Sequence, residues 1–301
     1  MKILVSGTSG LVGSALCNFL KINGHEIFKL VRTRANLLPN EIAWNLDRGV
    51  INPELLEGLD AVIHLAGENI ASGRWSDAKK KRIRDSRVKG TLLLSQALAS
   101  LKRSPHVLIA ASAVGYYGNC GEEMLMEKNS KGTGFLADVC AEWETSTRPA
   151  IERGIRVVNL RFGAILSLQG GILKKIITPF KFGVGGQIGA GNQYMSWIAL
   201  DDLLNVINET MQNKYFEGPV NAVSPNPVTN YEFTKAMGAV LHRPTFMTVP
   251  AKMARFVFGE MADELMLSSQ RVLPEVLLKS GFKFSYPNIK EALEFLLNKN
   301  I

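Results

Sequence analysis

Apolar positions along this chain fall into two kinds of pattern. Short, nearly continuous runs at Ile3–Val5, His25–Val31, Asp60–Gly67, Val107–Ala111 and Arg156–Leu160 read as strands buried on both faces of a sheet. Between them, apolar residues recur at helical spacing. Leu11, Ala15, Leu16, Phe19 and Leu20 form one such stripe, closed by Gly24, and Leu93, Leu94, Ala97 and Leu98 form another within a helix expected from Ser76 to Leu101. A third helix is expected over Phe135–Arg153, and the irregular stretch 35–57 carries an edge strand at Ile42–Trp44 and a short helix after Pro53. Strands separated by helices of this length imply parallel βαβ units with right-handed crossovers.

Beyond Gly163 the pattern changes. Gly170, Gly171, Gly183, Gly185, Gly186, Gly189 and Gly191 crowd a loop-rich passage, after which Trp197-Ile198 leads through Asp201-Asp202 into a helix ending near Met211. Pro219, Pro225 and Pro227 break the chain again, and amphipathic helices follow at Asn230–Leu241, Ala251–Phe258 and Ile289–Leu297. The expected fold is therefore α/β, a Rossmann-type doubly wound and mainly parallel sheet with a smaller, mostly helical C-terminal lobe. Residues 1–165 form the dinucleotide-binding domain, with later segments returning to it, and 166–301 form the substrate-side lobe.

Composition narrows the function. In 301 residues, 46% hydrophobic content supports a substantial core, and no internal repeat is visible. The net charge of +8 is dispersed apart from one cluster at Lys79–Lys89, which reads as a solvated face. An anionic cofactor or substrate accounts for part of the excess, so a small-molecule substrate is expected, with neither nucleic acid nor membrane as partner; a homodimer is compatible with the chain. Cys17, Cys120 and Cys140 show neither a disulfide framework nor metal-ligand spacing. With no secretory signal pattern and no apolar span, a cytoplasmic location is expected.

The chemistry begins at Lys2–Gly13, K-I-L-V-S-G-T-S-G-L-V-G, a strand that breaks into three spaced glycines and then a helix. Gly7 permits a sharp turn, Gly10 a close backbone approach to a pyrophosphate, and Gly13 tight packing of the helix, whose N-terminal N–H groups favour phosphate. Thr8, Leu11 and Val12 share that cradle. At the end of the second strand, where an acidic residue would bond a ribose hydroxyl, stand Arg32 and, close behind, Arg34, which suit the 2′-phosphate of NADP(H). Leu65, Ala66 and Gly67 are expected beside the cofactor, Arg87 points inward toward phosphate or carboxamide, and Arg161 lines the pocket.

Several stretches resemble the extended short-chain dehydrogenase/reductase, or NAD-dependent epimerase/dehydratase, superfamily: Thr8 in the glycine turn, His64–Gly67, Ser112–Gly118, Arg161–Gly163 and Trp197–Asp202. More narrowly, Gly67–Ile70, Arg74-Trp75, Trp143-Glu144, Gly170-Gly171, Pro179-Phe180, Gly185-Gly186 and Arg271–Pro274 resemble the epimerase family protein group, short-chain dehydrogenase family 39U. The resemblance implies an atypical, NADP-binding, reductase-like protein. It also implies a Tyr-x-x-x-Lys dyad on the helix after the fifth strand, yet Gly134–Glu144 contains neither residue. The two such strings that occur, Tyr231–Lys235 and Tyr286–Lys290, fall in the C-terminal lobe and read as chance.

Other groups could handle protons. Ser112 lies one place from the usual catalytic hydroxyl position, which Ala113 holds, while Tyr116 and Tyr117 follow the same strand. Glu68 and Asn69 could face the pocket, Arg74 could hold an anion, and Asp201-Asp202 read as a helix cap. Two alternatives stay open beside the oxidoreductase: a nucleotide-sugar epimerase or dehydratase, and a non-catalytic NADP-binding regulator linked to cell division.

Overall fold

In the computed structural model, which describes residues 1–32 and 36–298, the first strand sits at the centre of an eight-stranded sheet. The strands of that sheet are β1 (Lys2–Ser6), β2 (Glu26–Arg32), β3 (Glu41–Asn45), β4 (Val50–Ile51), β5 (Ala61–His64), β6 (Val107–Ala113), β7 (Arg156–Phe162) and β8 (Gly218–Ala222). Their spatial order is β8-β7-β6-β5-β1-β2-β3-β4, and every pairing is parallel except β3 with β4. The order reverses direction at β1, so the crevice at the carboxyl ends of β1 and β5 is the topological switch point where doubly wound sheets bind ligands.

The helices are α1 (Leu11–Ile22), α2 (Asp77–Ala99), α3 (Phe135–Thr145), α4 (Arg148–Glu152), α5 (Gly171–Lys181), α6 (Leu200–Gln212), α7 (Asn230–Leu241), α8 (Ala251–Phe258), α9 (Glu275–Lys279) and α10 (Ile289–Asn298). Alternate residues of the central strands point to opposite faces. Ile3, Val5, Ala61, Ile63, Val107, Ile109, Val158 and Leu160 therefore pack under α1 and α6, whereas Leu4, Val62, Leu108 and Val157 pack under α2 and α4. A third apolar cluster, built from α5, α7 and α10, holds the C-terminal lobe together.

Three local expectations need correction. Pro219 does not break the chain but lies inside β8, an edge strand, where a missing N–H leaves no interior ladder bond unmade. β8 and α6 thus return from the 166–301 segment to the central sheet. The helix expected over Phe135–Arg153 is two helices, α3 and α4, the second starting with Pro149 in its first turn. Asp202 does not cap α6; it is fully buried and accepts the backbone N–H groups of Ser285 (2.8 Å) and Tyr286 (3.0 Å), tying the C-terminal segment to the sheet.

Candidate cofactor and active site

The glycine turn has the geometry of a cradle. Gly7 adopts φ +69°, and a Cβ there would lie 2.8 Å from the Leu65 carbonyl carbon. A Cβ on Gly13 would lie 2.2 Å from Gly7 O, so α1 can approach the turn only because this residue has no side chain. Gly10 is the N-cap of α1, and no side chain bonds to it. The first helical bond runs from Ser14 N–H to Gly10 O at 3.0 Å; among the described residues the N–H groups of Leu11, Val12 and Gly13 meet no acceptor. Three aligned donors at a positive dipole end make an anion site.

Ser6, which the sequence reading passed over, fixes the opposite wall. Its Oγ accepts the N–H groups of Leu65 (2.9 Å) and Ala66 (3.1 Å) and shares a hydrogen bond with His64 Nδ1 at 2.8 Å. The imidazole is completely buried, edge-on to Trp44 at 5.7 Å, and burial pushes its pKa down to about 4. His64 is a packed strand-end residue and Ser6 a clamp on the Leu65–Gly67 segment; its only signal in the sequence is a hydroxyl at the last position of a buried strand.

Arg87 is turned to protein acceptors. Its Nη1 donates to Glu68 O at 3.0 Å and Ile83 O at 3.1 Å, its guanidinium lies over Trp143 at 5.0 Å, and Gly67 packs against it. It braces the loop after β5 from behind. Glu68 turns its carboxylate to Lys79 Nζ (2.6 Å), Asn69 accepts the Ala71 N–H, and Arg74 is exposed beside Gly259. Lys79 itself is buried, unlike the rest of its cluster, which is largely exposed and ion-paired. Arg32 ends β2 on the surface, and Arg34 lies outside the described residues.

Beyond β6 the candidates separate. Ser112, Arg161 and Asn221 are in register across β6, β7 and β8, and Glu144 of α3 closes the row. Arg161 Nε and Nη2 bond Glu144 Oε1 and Oε2 at 2.7 and 2.8 Å, and Ser112 Oγ donates to Glu144 Oε1 at 2.7 Å. Arg161 Nη1 reaches Tyr117 Oη at 2.9 Å and Glu127 O at 3.3 Å. The expectation that Arg161 lines the cofactor pocket is therefore corrected: its guanidinium is turned inward and occupied by protein acceptors. Ser112 is likewise consumed by Glu144 and is 2% exposed.

Tyr117 cannot be the proton donor. Its phenol is fully buried, accepts from Arg161, and donates toward Asn221 Oδ1 (2.8 Å) and Met126 O (3.0 Å); burial pushes its pKa up to about 12. Tyr116 is different. Its ring lies under the Arg161 guanidinium, 3.6 Å from its centroid, and packs T-shaped with Tyr117 at 5.4 Å, while its side-chain hydroxyl has no partner among the described residues and the residue is only half-buried.

The missing dyad also has a structural location. A Cβ on Gly115, just past β6, would touch Leu136 Cβ (3.3 Å) and Cys140 Sγ (3.8 Å). These residues are one helical turn apart, so α3 presents an apolar pair to the strand end where a tyrosine and lysine would stand. Burial pushes the Cys140 thiol up to about 12, which leaves it inert. At the start of α3, Glu264 from the C-terminal lobe accepts the N–H groups of Phe135 (3.1 Å) and Leu136 (3.3 Å).

Comparison with known proteins agrees with this architecture. A model of the NAD dependent epimerase/dehydratase family matches residues 3–224, and one described only as a domain of unknown function matches 249–296. Epimerase family protein Mb2239 of Mycobacterium bovis is 44% identical over 97% of this chain and 96% of its own length. Epimerase family protein SDR39U1 of Mus musculus is 34% identical over 98% and 99%. The crystal structure of human epimerase family protein SDR39U1 with NADPH superposes with a TM-score of 0.90 at 30% identity, covering 99% of both chains. From the switch-point crevice to the C-terminal lobe, the chain belongs to the NAD-dependent epimerase/dehydratase family, in the epimerase family protein group.

Proposed function

We propose that this chain is an NADP(H)-binding oxidoreductase of the atypical short-chain dehydrogenase/reductase type, acting on a small-molecule substrate. The observation that carries the reading is the cradle at Gly7–Gly13: two glycines whose Cβ atoms would collide with backbone, and three helix N–H groups that meet no acceptor among the described residues. Those features fit a pyrophosphate. In this reading Leu11, Val12 and Gly13 hold it through their N–H groups, with Gly7, Thr8 and Gly10 shaping the turn. Arg32 meets the 2′-phosphate and Leu65, Ala66 and Gly67 lie along the ribose and ring side. The NADPH present in the human relative's structure supports the choice of dinucleotide.

When bound, NADP(H) supplies or accepts a hydride. The chain's part is placement and a proton. Tyr116 Oη is the group offered for the proton, because its ring is clamped while its hydroxyl is uncommitted. Arg161, Glu144, Ser112 and Tyr117 act through it by holding that ring in position.

The apolar Leu136–Cys140 pair favours a second reading, in which the chain binds NADP(H) without catalysing a reaction. It also weighs against sugar-nucleotide epimerisation, where transient oxidation of a hydroxyl needs a strong general base. Fluorescence titration with NADPH, followed by turnover with a panel of carbonyl compounds, separates these. Saturable binding with NADPH consumption supports the oxidoreductase, saturable binding with persistent inactivity supports the binding protein, and absence of binding removes both.

A further inference from the structure

The helix α8 is unusual in what it leaves uncovered. Of its eight residues only Ala254 is buried. Met253, Phe256 and Val257, at i, i+3 and i+4, form an outward apolar stripe on a different side of the helix from Ala254. Lys252 and Arg255 line one edge of it. The chain reaches α8 from the strand Met247–Val249, which pairs with Gly186–Ile188 and has Phe246 immediately before it. The loop leaving α5 runs alongside: Arg243 Nε donates to Lys181 O at 2.8 Å, and Gly183 packs on Pro244. Phe182 and Val184 on that loop are exposed. Phe256, Phe182 and Phe246 are 80%, 78% and 76% exposed, so three phenylalanines on neighbouring segments project into solvent.

The charge around these rings is one-sided. No Asp or Glu occurs between Arg153 and Leu200, or between Phe233 and Gly259, whereas Lys181, Arg243, Lys252 and Arg255 fall within those stretches. The carboxylates that follow α8 are engaged: Glu260 pairs with Lys80, Asp263 with Arg255, and Glu264 accepts the first N–H groups of α3. Asp263 thus answers Arg255, while Lys181, Arg243 and Lys252 remain as cations beside the protruding aromatic side chains, a combination that suits an interface apolar inside and anionic at its surface.

We propose that the C-terminal lobe docks peripherally on an anionic lipid surface, with Phe182, Phe246 and Phe256 inserted at the headgroup boundary and Lys181, Arg243 and Lys252 meeting lipid phosphates. No described helix is long and apolar enough to cross a membrane, so the contact is with one leaflet. The proposal is independent of cofactor binding.

The test is co-sedimentation of the full chain with vesicles of phosphatidylcholine alone and of phosphatidylcholine mixed with phosphatidylglycerol. The wild type should pellet with the anionic vesicles, at least about tenfold more strongly than with neutral ones, and be released by high salt. Phe182→Ser, Phe246→Ser and Phe256→Ser combined, and separately Lys181→Glu with Lys252→Glu, should each lower partitioning about tenfold or more at unchanged melting temperature. If the triple variant does not fold, Phe256→Ser alone and the wild-type salt titration carry the same readout. Wild type remaining in the supernatant, or binding both vesicle types equally, overturns the proposal. So does sedimentation velocity showing a dimer that Phe256→Ser dissociates while vesicles bind neither form; that result assigns the patch to a second copy.

Discussion

Arg161 grips Glu144 through two parallel bonds, 2.7 and 2.8 Å long, between a sheet strand and the helix packed beside it. Both side chains are withdrawn from water, at 3% and 14% exposure, so neither charge tolerates loss of the other. Arg161→Met should cost about 3 kcal/mol or more of folding stability, measured by urea denaturation. Arg161→Lys should recover little, because an ammonium cannot span both carboxylate oxygens. A wild-type midpoint in Arg161→Met would show that the pair holds nothing together.

The two adjacent tyrosines should behave oppositely. Tyr117→Phe removes a buried hydroxyl from Asn221 and Arg161 and should lower stability by about 1–3 kcal/mol while sparing NADPH affinity. Tyr116→Phe should leave the urea midpoint nearly unchanged and lower kcat at least about a hundredfold on any substrate that is turned over. Equal activity in Tyr116→Phe and wild type would dismiss Tyr116 as the donor.

Substitutions in the glycine turn should rank by the space each lacks. Gly13→Ala puts a methyl 2.2 Å from Gly7 O and should abolish saturable NADPH binding. Gly10→Ala meets the same oxygen at 3.3 Å and should weaken binding more mildly. Isothermal titration of both variants reads the order directly, and the reverse order would mean that the cradle is not where the dinucleotide sits.

Arg32→Glu should raise the Kd for NADPH about tenfold or more, through loss of a charge-assisted contact and added repulsion, and change that for NADH far less. Matching losses for both nucleotides would dissociate Arg32 from the 2′-phosphate.

His64 should make folding sensitive to mild acid. Its folded pKa is about 4 against an ordinary 6.5, so between these values the unfolded chain binds more protons. Its stabilising contribution is full above pH 6.5, falls as pH drops toward 4, and levels off below that, a loss of about 3 kcal/mol in all. Denaturation midpoints at several pH values should show this slope in the wild type and a flatter profile in His64→Asn. A slope that survives the substitution belongs to other groups.

Local signals in the chain were strong where one stretch decides its own geometry. α7 and α8 begin and end where spacing and punctuation put them, α7 behind a Thr229–Glu232 capping box. The glycine turn was legible for the same reason, since three absent side chains state the packing directly. Contacts across the chain were not. Nothing near Arg161 reveals that Glu144 arrives from a helix and takes its guanidinium, and adjacent Tyr116 and Tyr117 look alike until β8 brings Asn221 to one of them. β8 itself was obscured by Pro219, because a proline argues against an interior strand but is permitted at an edge.

The return of β8 to the sheet has a practical corollary. Everything from Gly163 to Glu217 is an excursion anchored at both ends by adjacent, hydrogen-bonded strands, β7 and β8. A fragment ending near residue 165 would strip α6 from one face and bare the unsatisfied amides and carbonyls of β7, a template for intermolecular pairing. The nucleotide half should therefore precipitate when expressed alone, and only a fragment that keeps both α6 and β8 should stay soluble.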